Sequence, residues 1–255
     1  MPQTTLHSHS HIKNGLLHHA HVLPGPGEFK EANRQWFDAQ AHDQEGGYEA
    51  KPIAQEMARK ASVAFLEAFP FDKSQTVVMD FACGTGMISR NLIPYSKKII
   101  GVDISSKSVD FYNERTTKQG IPPEEMRAIC ADLTERGKGD NDVFGGVEFD
   151  AIVCSGAYHH FDDINHMTKI LASYLKPGTG TLIITDFIAS PEAEHVLSSH
   201  AHVVPHTSGF SEELIRSTFV DAGGLREFSL KPAFQMNWHG KDVGLFVAKG
   251  VRPSL

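Results

Sequence analysis

The chain has 255 residues, enough for one well-buried α/β domain with an N-terminal extension, and its 40% hydrophobic and 22% charged content are those of an ordinary soluble protein. A formal net charge of -7 argues against a nucleic-acid partner, which is held through clustered Lys and Arg, and no apolar run reaches the roughly 18 to 20 residues that cross a bilayer. The N-terminus, MPQTTLHSHSHIK, lacks the apolar core of a secretion signal, and Cys83, Cys130 and Cys154 show no C-x-x-C spacing, so a cytoplasmic protein in reducing surroundings is expected.

Residues 1–27 are rich in His, Ser, Gly and Pro and read as a flexible, solvated arm. Its histidines (His7, His9, His11, His18, His19, His21) bind divalent ions without forming an evolved site, so no metal is assigned. Residues 28–70 read as two capping helices, EFKEANRQWFDAQ from Glu28 to Gln40 and a second from about Lys51 to Phe69, with apolar points at helical spacing. Residues 71–255 read as one core domain.

From Thr76 to Ser89 the sequence TVVMDFACGTGMIS changes character three times. The apolar run Val77 to Met79 ends in Asp80, a small-residue turn follows through Ala82, Cys83, Gly84, Thr85 and Gly86, and helical spacing resumes at Met87. Glycines in such a turn let the backbone come close to a ligand, and the next helix opens with unpaired amide donors, so a polar cofactor is expected here. Ser89 stands where a dinucleotide fingerprint would have its third glycine, and no Lys-Ser or Lys-Thr pair follows to make a phosphate loop.

A helix to about Tyr95 leads to a second strand, Lys98 to Val102, ending at Asp103. An acidic residue some 20 positions beyond a glycine turn, at the tip of the next strand, is placed to accept both ribose hydroxyls. Asp is also a good N-cap, here for the stretch starting near Ser105. Ile104 would pack on the base. A third strand, Met126 to Ala131, ends in Asp132 and Leu133, and residues 134–148 read as an exposed loop. The fourth, Phe149 to Cys154, is a near-continuous apolar run suited to burial on both faces. It delivers Ser155, Tyr158, His159 and His160 to its carboxyl end, where open α/β sheets bind ligands. A helix from Asp162 to Leu175 and a fifth strand from Gly180 to Phe187 follow. Residues 191–209 resist assignment, residues 211–222 read as a helix, and the runs Leu225 to Lys231 and Val243 to Lys249 read as a closing hairpin.

Together these segments resemble the class I S-adenosylmethionine-dependent methyltransferases. Asp80, Cys83, Gly84, Thr85 and Gly86 match the strand-end motif D-x-G-C-G-T-G, with Ala82 where the family more often has glycine. The segment SGAYHHF is similar to the post-strand motif of the ubiquinone and menaquinone biosynthesis methyltransferases, and K-P-G before an apolar strand is another recurrent piece. The resemblance implies a Rossmann-like doubly wound seven-stranded sheet, mostly parallel with an antiparallel C-terminal strand and helices on both faces. It implies S-adenosyl-L-methionine as donor and S-adenosyl-L-homocysteine as product, held by Asp80, Ala82, Cys83, Gly84, Thr85, Gly86, Asp103, Ile104, Asp132, Leu133 and Ser155, with Asp132 at the exocyclic amine of adenine. It also implies that the early helices cap the site. Trp36, Phe37 and Tyr48 are then candidates for the substrate pocket, with Tyr158 and His206 beside them.

Methyl transfer from a sulfonium needs a base only when the acceptor must lose a proton. His159 or His160 would serve, or the pair shapes the pocket floor through hydrogen bonds. The first reading of function is transfer to a small molecule at an O, N, S or C centre. The second is a protein methyltransferase or a donor-binding subunit of a larger assembly, and the third, opposed by Ser89 and the hairpin, is a Rossmann-type oxidoreductase. Three cysteines near the ends of strands one, three and four also suggest a thiolate site for a soft acceptor such as arsenite, although buried cysteine is commonly a small hydrophobe.

Overall fold

A computed structural model describes residues 24–25, 27–41, 47–135, 142–238 and 240–254, and of Tyr48 the backbone alone. Almost all of the arm expected at 1–27 lies outside the described residues.

The sheet has seven strands, β1 (Val77–Phe81), β2 (Lys98–Asp103), β3 (Met126–Cys130), β4 (Ala151–Ser155), β5 (Thr181–Phe187), β6 (Arg226–Trp238) and β7 (Lys241–Val251), in the order β3-β2-β1-β4-β5-β7-β6. β1 to β5 run parallel, and β7 runs antiparallel to both β5 and β6. Because β1 pairs with β2 on one side and β4 on the other, the chain's winding reverses there, and a crevice opens above those carboxyl ends.

Successive side chains of a strand point to opposite faces, and the two faces bury separate cores. Met79, Ile100, Ile152 and Ile184 pack with α5 (Ile164–Tyr174) on one side. Val78, Ile99, Val153 and Ile183 pack on the other, against α2 (Pro52–Ala68), α3 (Met87–Leu92) and α4 (Ser106–Lys118). α1 (Phe29–Ala41) lies over α4, and α6 (Pro191–Ser198) and α7 (Glu212–Ser217) follow β5. Hydroxyl and carboxyl caps start several helices: Ser105, Asp163, Ser190 and Ser211 each accept from a backbone amide three residues on.

Three expectations are corrected. Phe144, in the stretch read as an exposed loop, is only 4% exposed and meets the Phe149 and Tyr174 rings edge-on at 5.2 and 5.0 Å. Its glycine and acidic neighbours hide a single anchoring aromatic. Residues 191–209 begin with α6, whose start is the Ser190 cap followed by Pro191 at the first helical position. The closing hairpin is longer than its apolar runs, β6 running on past Lys231 to Trp238 and β7 reaching from Lys241 to Val251, because edge strand β6 exposes polar side chains and so has no continuous hydrophobic signal.

Candidate functional site

A cavity of about 840 Å³ lies over the carboxyl ends of β1, β2, β4 and β5, beneath α1, α2 and α6. Its floor at one end is the turn after β1. The buried Asp80 carboxyl accepts from the Ser89 backbone amide (3.1 Å) and hydroxyl (2.6 Å), which ties α3 to β1. Burial pushes that carboxyl up to about 7, with the two Ser89 bonds pulling the other way. Ser89, read from the sequence only as a missing glycine, is therefore the partner of the motif aspartate.

Ala82, Gly84 and Gly86 all have left-handed backbones, with φ of 55°, 51° and 85°. A side chain on Gly84 would meet nothing within 4 Å, because it would enter the cavity. A Cβ on Gly86 would stand 2.5 Å from the Tyr112 ring, so this glycine serves close packing on α4 and does not line the cavity. Cys83 is buried against Gly101, and desolvation holds its proton well above the ordinary thiol range. Cys154 is likewise buried, and desolvation raises its thiol too, which disfavours at these two positions the thiolate site raised from the sequence. Among the described residues no three His, Cys, Asp or Glu side chains are grouped to hold a metal ion.

Two acidic tips stand beside the turn. Asp103 accepts from the Gly84 amide and the Ser105 amide, each at 2.8 Å, while Ser105 rather than Asp103 caps α4. Desolvation raises the Asp103 carboxyl above the usual range, partly offset by those two amides. A carboxylate offers about four lone-pair sites, so acceptor capacity remains. Asp132 takes the Lys30 ammonium at 2.6 Å and the Thr134 amide and hydroxyl at 2.8 and 2.6 Å. Burial works to raise its carboxyl, but Lys30 and Thr134 bring it below the ordinary value. Lys30 belongs to α1, as does Asp38, which accepts from the Ser105 hydroxyl (2.6 Å) and the Lys107 amide (3.2 Å). These contacts fasten α1 as a roof. Glu49 binds Arg90 of α3 and Arg115 of α4 and ties the short turn Tyr48–Ala50 down beside it.

The other end is built on the residues after β4 and β5. Ser155 accepts from the Thr185 hydroxyl at 3.0 Å. His159 is buried, and its Nδ1 lies 2.8 Å from Oδ1 of Asp186, a fully buried carboxylate that also accepts from the His159 amide (3.3 Å) and the Phe187 amide (2.8 Å). His160 packs its ring 4.2 Å from that of His159 and donates from Nδ1 to the Val203 carbonyl at 2.8 Å. Burial, with His159 alongside, pushes its pKa well below the ordinary histidine range. Asn33 of α1 donates from Nδ2 to the carbonyls of Phe29, Val203 and His160, and its buried Oδ1 meets no donor. Trp36, Phe37, Phe187 and Trp238 complete an aromatic wall.

Of the residues singled out in the sequence, Trp36, Phe37, Asp80, Ala82, Cys83, Gly84, Thr85, Asp103, Ile104, Asp132, Leu133, Ser155, His159 and His160 all face this cavity. Gly86 does not. Tyr158 points into the core, where its hydroxyl meets that of Thr168 at 3.0 Å. His206 also stands away from the cavity and donates from Nε2 to the Phe161 carbonyl at 3.1 Å, bracing the turn that carries the two histidines. The Tyr48 side chain lies outside the described residues. Asp186 and Asn33 were missed. For Asp186 the signal was present, since a carboxylate inside a strand buried on both faces requires a partner. Asn33, on a polar helix, carried none.

Residues 79–181 match the family model described as a methyltransferase domain. An uncharacterised methyltransferase of Schizosaccharomyces pombe is 40% identical over 154 residues, 59% of this chain and 54% of that one. A ubiquinone biosynthesis O-methyltransferase of Chromobacterium violaceum is 23% identical over 101 residues, 40% of each chain. The solved magnesium protoporphyrin IX methyltransferase of Synechocystis, with bound S-adenosylhomocysteine, superposes with a TM-score of 0.62 at 19% identity, over 88% of this chain and 99% of that one. The chain spans about half the length of the curated relatives it matches, 54% and 40% in these two cases.

Sheet order and glycine turn define a Rossmann-like fold of the kind seen in solved methyltransferases. The chain is similar to the class I S-adenosylmethionine-dependent methyltransferases, as the motif from Asp80 to Gly86 leads one to expect. The residues present fit that family's cofactor. Gly84 leaves open the volume a side chain would fill, Asp103 keeps acceptor capacity at the tip of β2, and Ile104 and Leu133 supply apolar surface beside it.

Proposed function

We propose that this chain transfers a methyl group from S-adenosylmethionine to a small-molecule acceptor. One observation carries the reading: a single cavity joins the acidic tips Asp103 and Asp132 to the histidines after β4, with the bare face of Gly84 between them. In this reading Asp103 accepts the ribose hydroxyls, Asp132 faces the adenine amine, and Ala82 to Thr85 with Ser155 surround the remainder. The donor supplies a methyl group on a positively charged sulfur, which needs no further activation. The chain's own task is to align the two reactants and keep water out, and alignment of this kind supplies roughly 7 to 11 kcal/mol. α1, held by Lys30, Asp38 and Asn33, is the part that excludes water.

The acceptor end supports a small, largely apolar molecule. Its wall is aromatic and aliphatic, with polar groups converging from His159, His160 and the Asn33 Oδ1. Calorimetry with S-adenosylmethionine tests the donor half. Asp103→Ala removes two charge-assisted hydrogen bonds at about 1.5 kcal/mol or more each, so affinity is expected to fall at least ~10²-fold. Undiminished affinity would remove the ribose assignment, and no uptake by the parent protein would remove the function. Release of S-adenosylhomocysteine with a metabolite extract, against a protein extract, separates this reading from a protein methyltransferase or a donor-binding subunit.

A further inference from the structure

We propose that Asp186 is a positioning residue that presents His159 Nε2 as the proton acceptor of the transfer, and that the acceptor is therefore a hydroxyl on an apolar body. This deepens the methyl-transfer reading and rests on it.

Asp186 sits on β5, which is buried along its whole length, and an ionised carboxylate there is costly unless it is satisfied. All the bonds it makes come from donors: the His159 amide, the Phe187 amide and the His159 ring. A ring nitrogen 2.8 Å from a carboxylate oxygen carries the hydrogen, so neutral His159 is the Nδ1–H tautomer and its lone pair is on Nε2. Nε2 takes no hydrogen bond from the described residues, and the ring lines the cavity. A proton arriving at Nε2 makes an imidazolium whose charge Asp186 faces directly. The logic is that of a base oriented by a buried carboxylate.

His160 offers no such arrangement. Its Nδ1 donates to a neutral carbonyl, no carboxylate of the described residues is hydrogen-bonded to it, and its neighbour across 4.2 Å is His159 itself. The other histidines around the pair are His200, His202 and His206, and burial disposes the His200 and His206 rings toward the neutral form. Asp186 is the one carboxylate hydrogen-bonded to the pair among the described residues.

An oriented base has work to do only for an atom that attacks poorly until it loses a proton. A hydroxyl is such an atom, whereas a neutral amine attacks with its own lone pair. As the oxygen–carbon bond forms, the O–H bond breaks and its proton passes to Nε2. The electron pair of the carbon–sulfur bond stays with sulfur, and the positive charge lost there reappears on the imidazole beside Asp186. The bare Asn33 Oδ1 suits a second donor on the same acceptor.

Two-bond ¹H–¹⁵N NMR on ¹⁵N-histidine-labelled full-length protein at pH 8 reads the tautomer directly. Parental His159 is expected as Nδ1–H with a bare Nε2, and Asp186→Ala is expected to admit the Nε2–H form while S-adenosylmethionine affinity by calorimetry stays within twofold. Parental His159 found as Nε2–H, or a tautomer unmoved in a folded Asp186→Ala protein, overturns the proposal. Should that variant not fold, the parental spectrum and a second titration decide. 2-Naphthol, but not naphthalene, is expected to shift the His159 Nε2 resonance, and equal shifts, or none at millimolar probe, overturn the acceptor class. A wrong tautomer in protein that binds the donor sinks this inference alone; absent donor binding sinks the methyl-transfer reading.

Discussion

Gly84 and Gly86 stand two residues apart in one turn, and their alanine variants are expected to fail in different ways. Both have left-handed backbones, so a Cβ at either costs about 1 to 2 kcal/mol, offset by about 0.4 to 1 kcal/mol because alanine restricts the unfolded chain. Gly84→Ala adds nothing further, since no atom lies within 4 Å of the new methyl, and its net cost is about 1 kcal/mol. Gly86→Ala drives a methyl to 2.5 Å from Tyr112 Cδ2 and 2.6 Å from Cε2. Tyr112 is buried between α4 and the sheet, so overpacking adds about 1 to 3 kcal/mol and the total reaches about 2 to 4 kcal/mol. At about 2 to 4 °C per kcal/mol for a domain of this size, Tm should fall by roughly 2 to 4 °C for Gly84→Ala and roughly 4 to 16 °C for Gly86→Ala. Donor affinity should rank the other way when each variant is measured well below its own melting point. The Gly84 methyl occupies the cavity and is expected to weaken S-adenosylmethionine binding at least ~10-fold by calorimetry, more than the distant Gly86 methyl does. Equal Tm losses in the two variants, or parental affinity in Gly84→Ala, would refute the reasoning.

Other expectations follow from the same turn and its roof. Folded Asp80 keeps its proton up to about 7, whereas the unfolded carboxyl releases it near 3.8. Across that window the folded state holds the extra proton, so stability falls as pH rises and levels off above 7, by up to about 4 kcal/mol from this group. Urea unfolding at pH 5 and pH 8 should show that Asp80→Asn removes much of the difference, and an unchanged slope would count against it. Ala82→Gly relieves a left-handed Cβ but loosens the unfolded chain, for a net gain of about 1 kcal/mol and a Tm rise of roughly 2 to 4 °C by calorimetric scan; a fall would contradict the strain. Lys30 is 45% exposed, so Lys30→Ala should change global stability by less than about 1 kcal/mol while quickening amide exchange across α1. Unaltered exchange there would mean that the ion pair does not fasten the roof.

The parts legible in the sequence are those written in local pattern. β1, the glycine turn and α3 announce themselves within 14 residues, because a strand period, left-handed turn positions and a helix period follow one another without interruption. Asp103 and Asp132 were legible for a related reason, Asp103 ending β2 and Asp132 standing two residues after β3. The two glycines of the turn looked equivalent, and only the position of Tyr112, from another helix, separates one that opens the cavity from one that packs.

Other features depend on partners far along the chain, and these escaped. Lys30 meets Asp132 across 102 residues, and Asn33 meets Val203 across 170. The two adjacent histidines are indistinguishable as letters, yet one faces the Asp186 carboxylate and the other a peptide carbonyl. Tyr158, inside the same motif, turns to Thr168 in the core. The sequence by itself determined the sheet, the glycine turn and the acidic residues beside it, since each is a matter of periodicity and of which residues tolerate a left-handed backbone. The tertiary structure alone decided which histidine has a carboxylate behind it and what roofs the cavity, because hydrogen-bond partnership is set by distances that close only when remote segments pack.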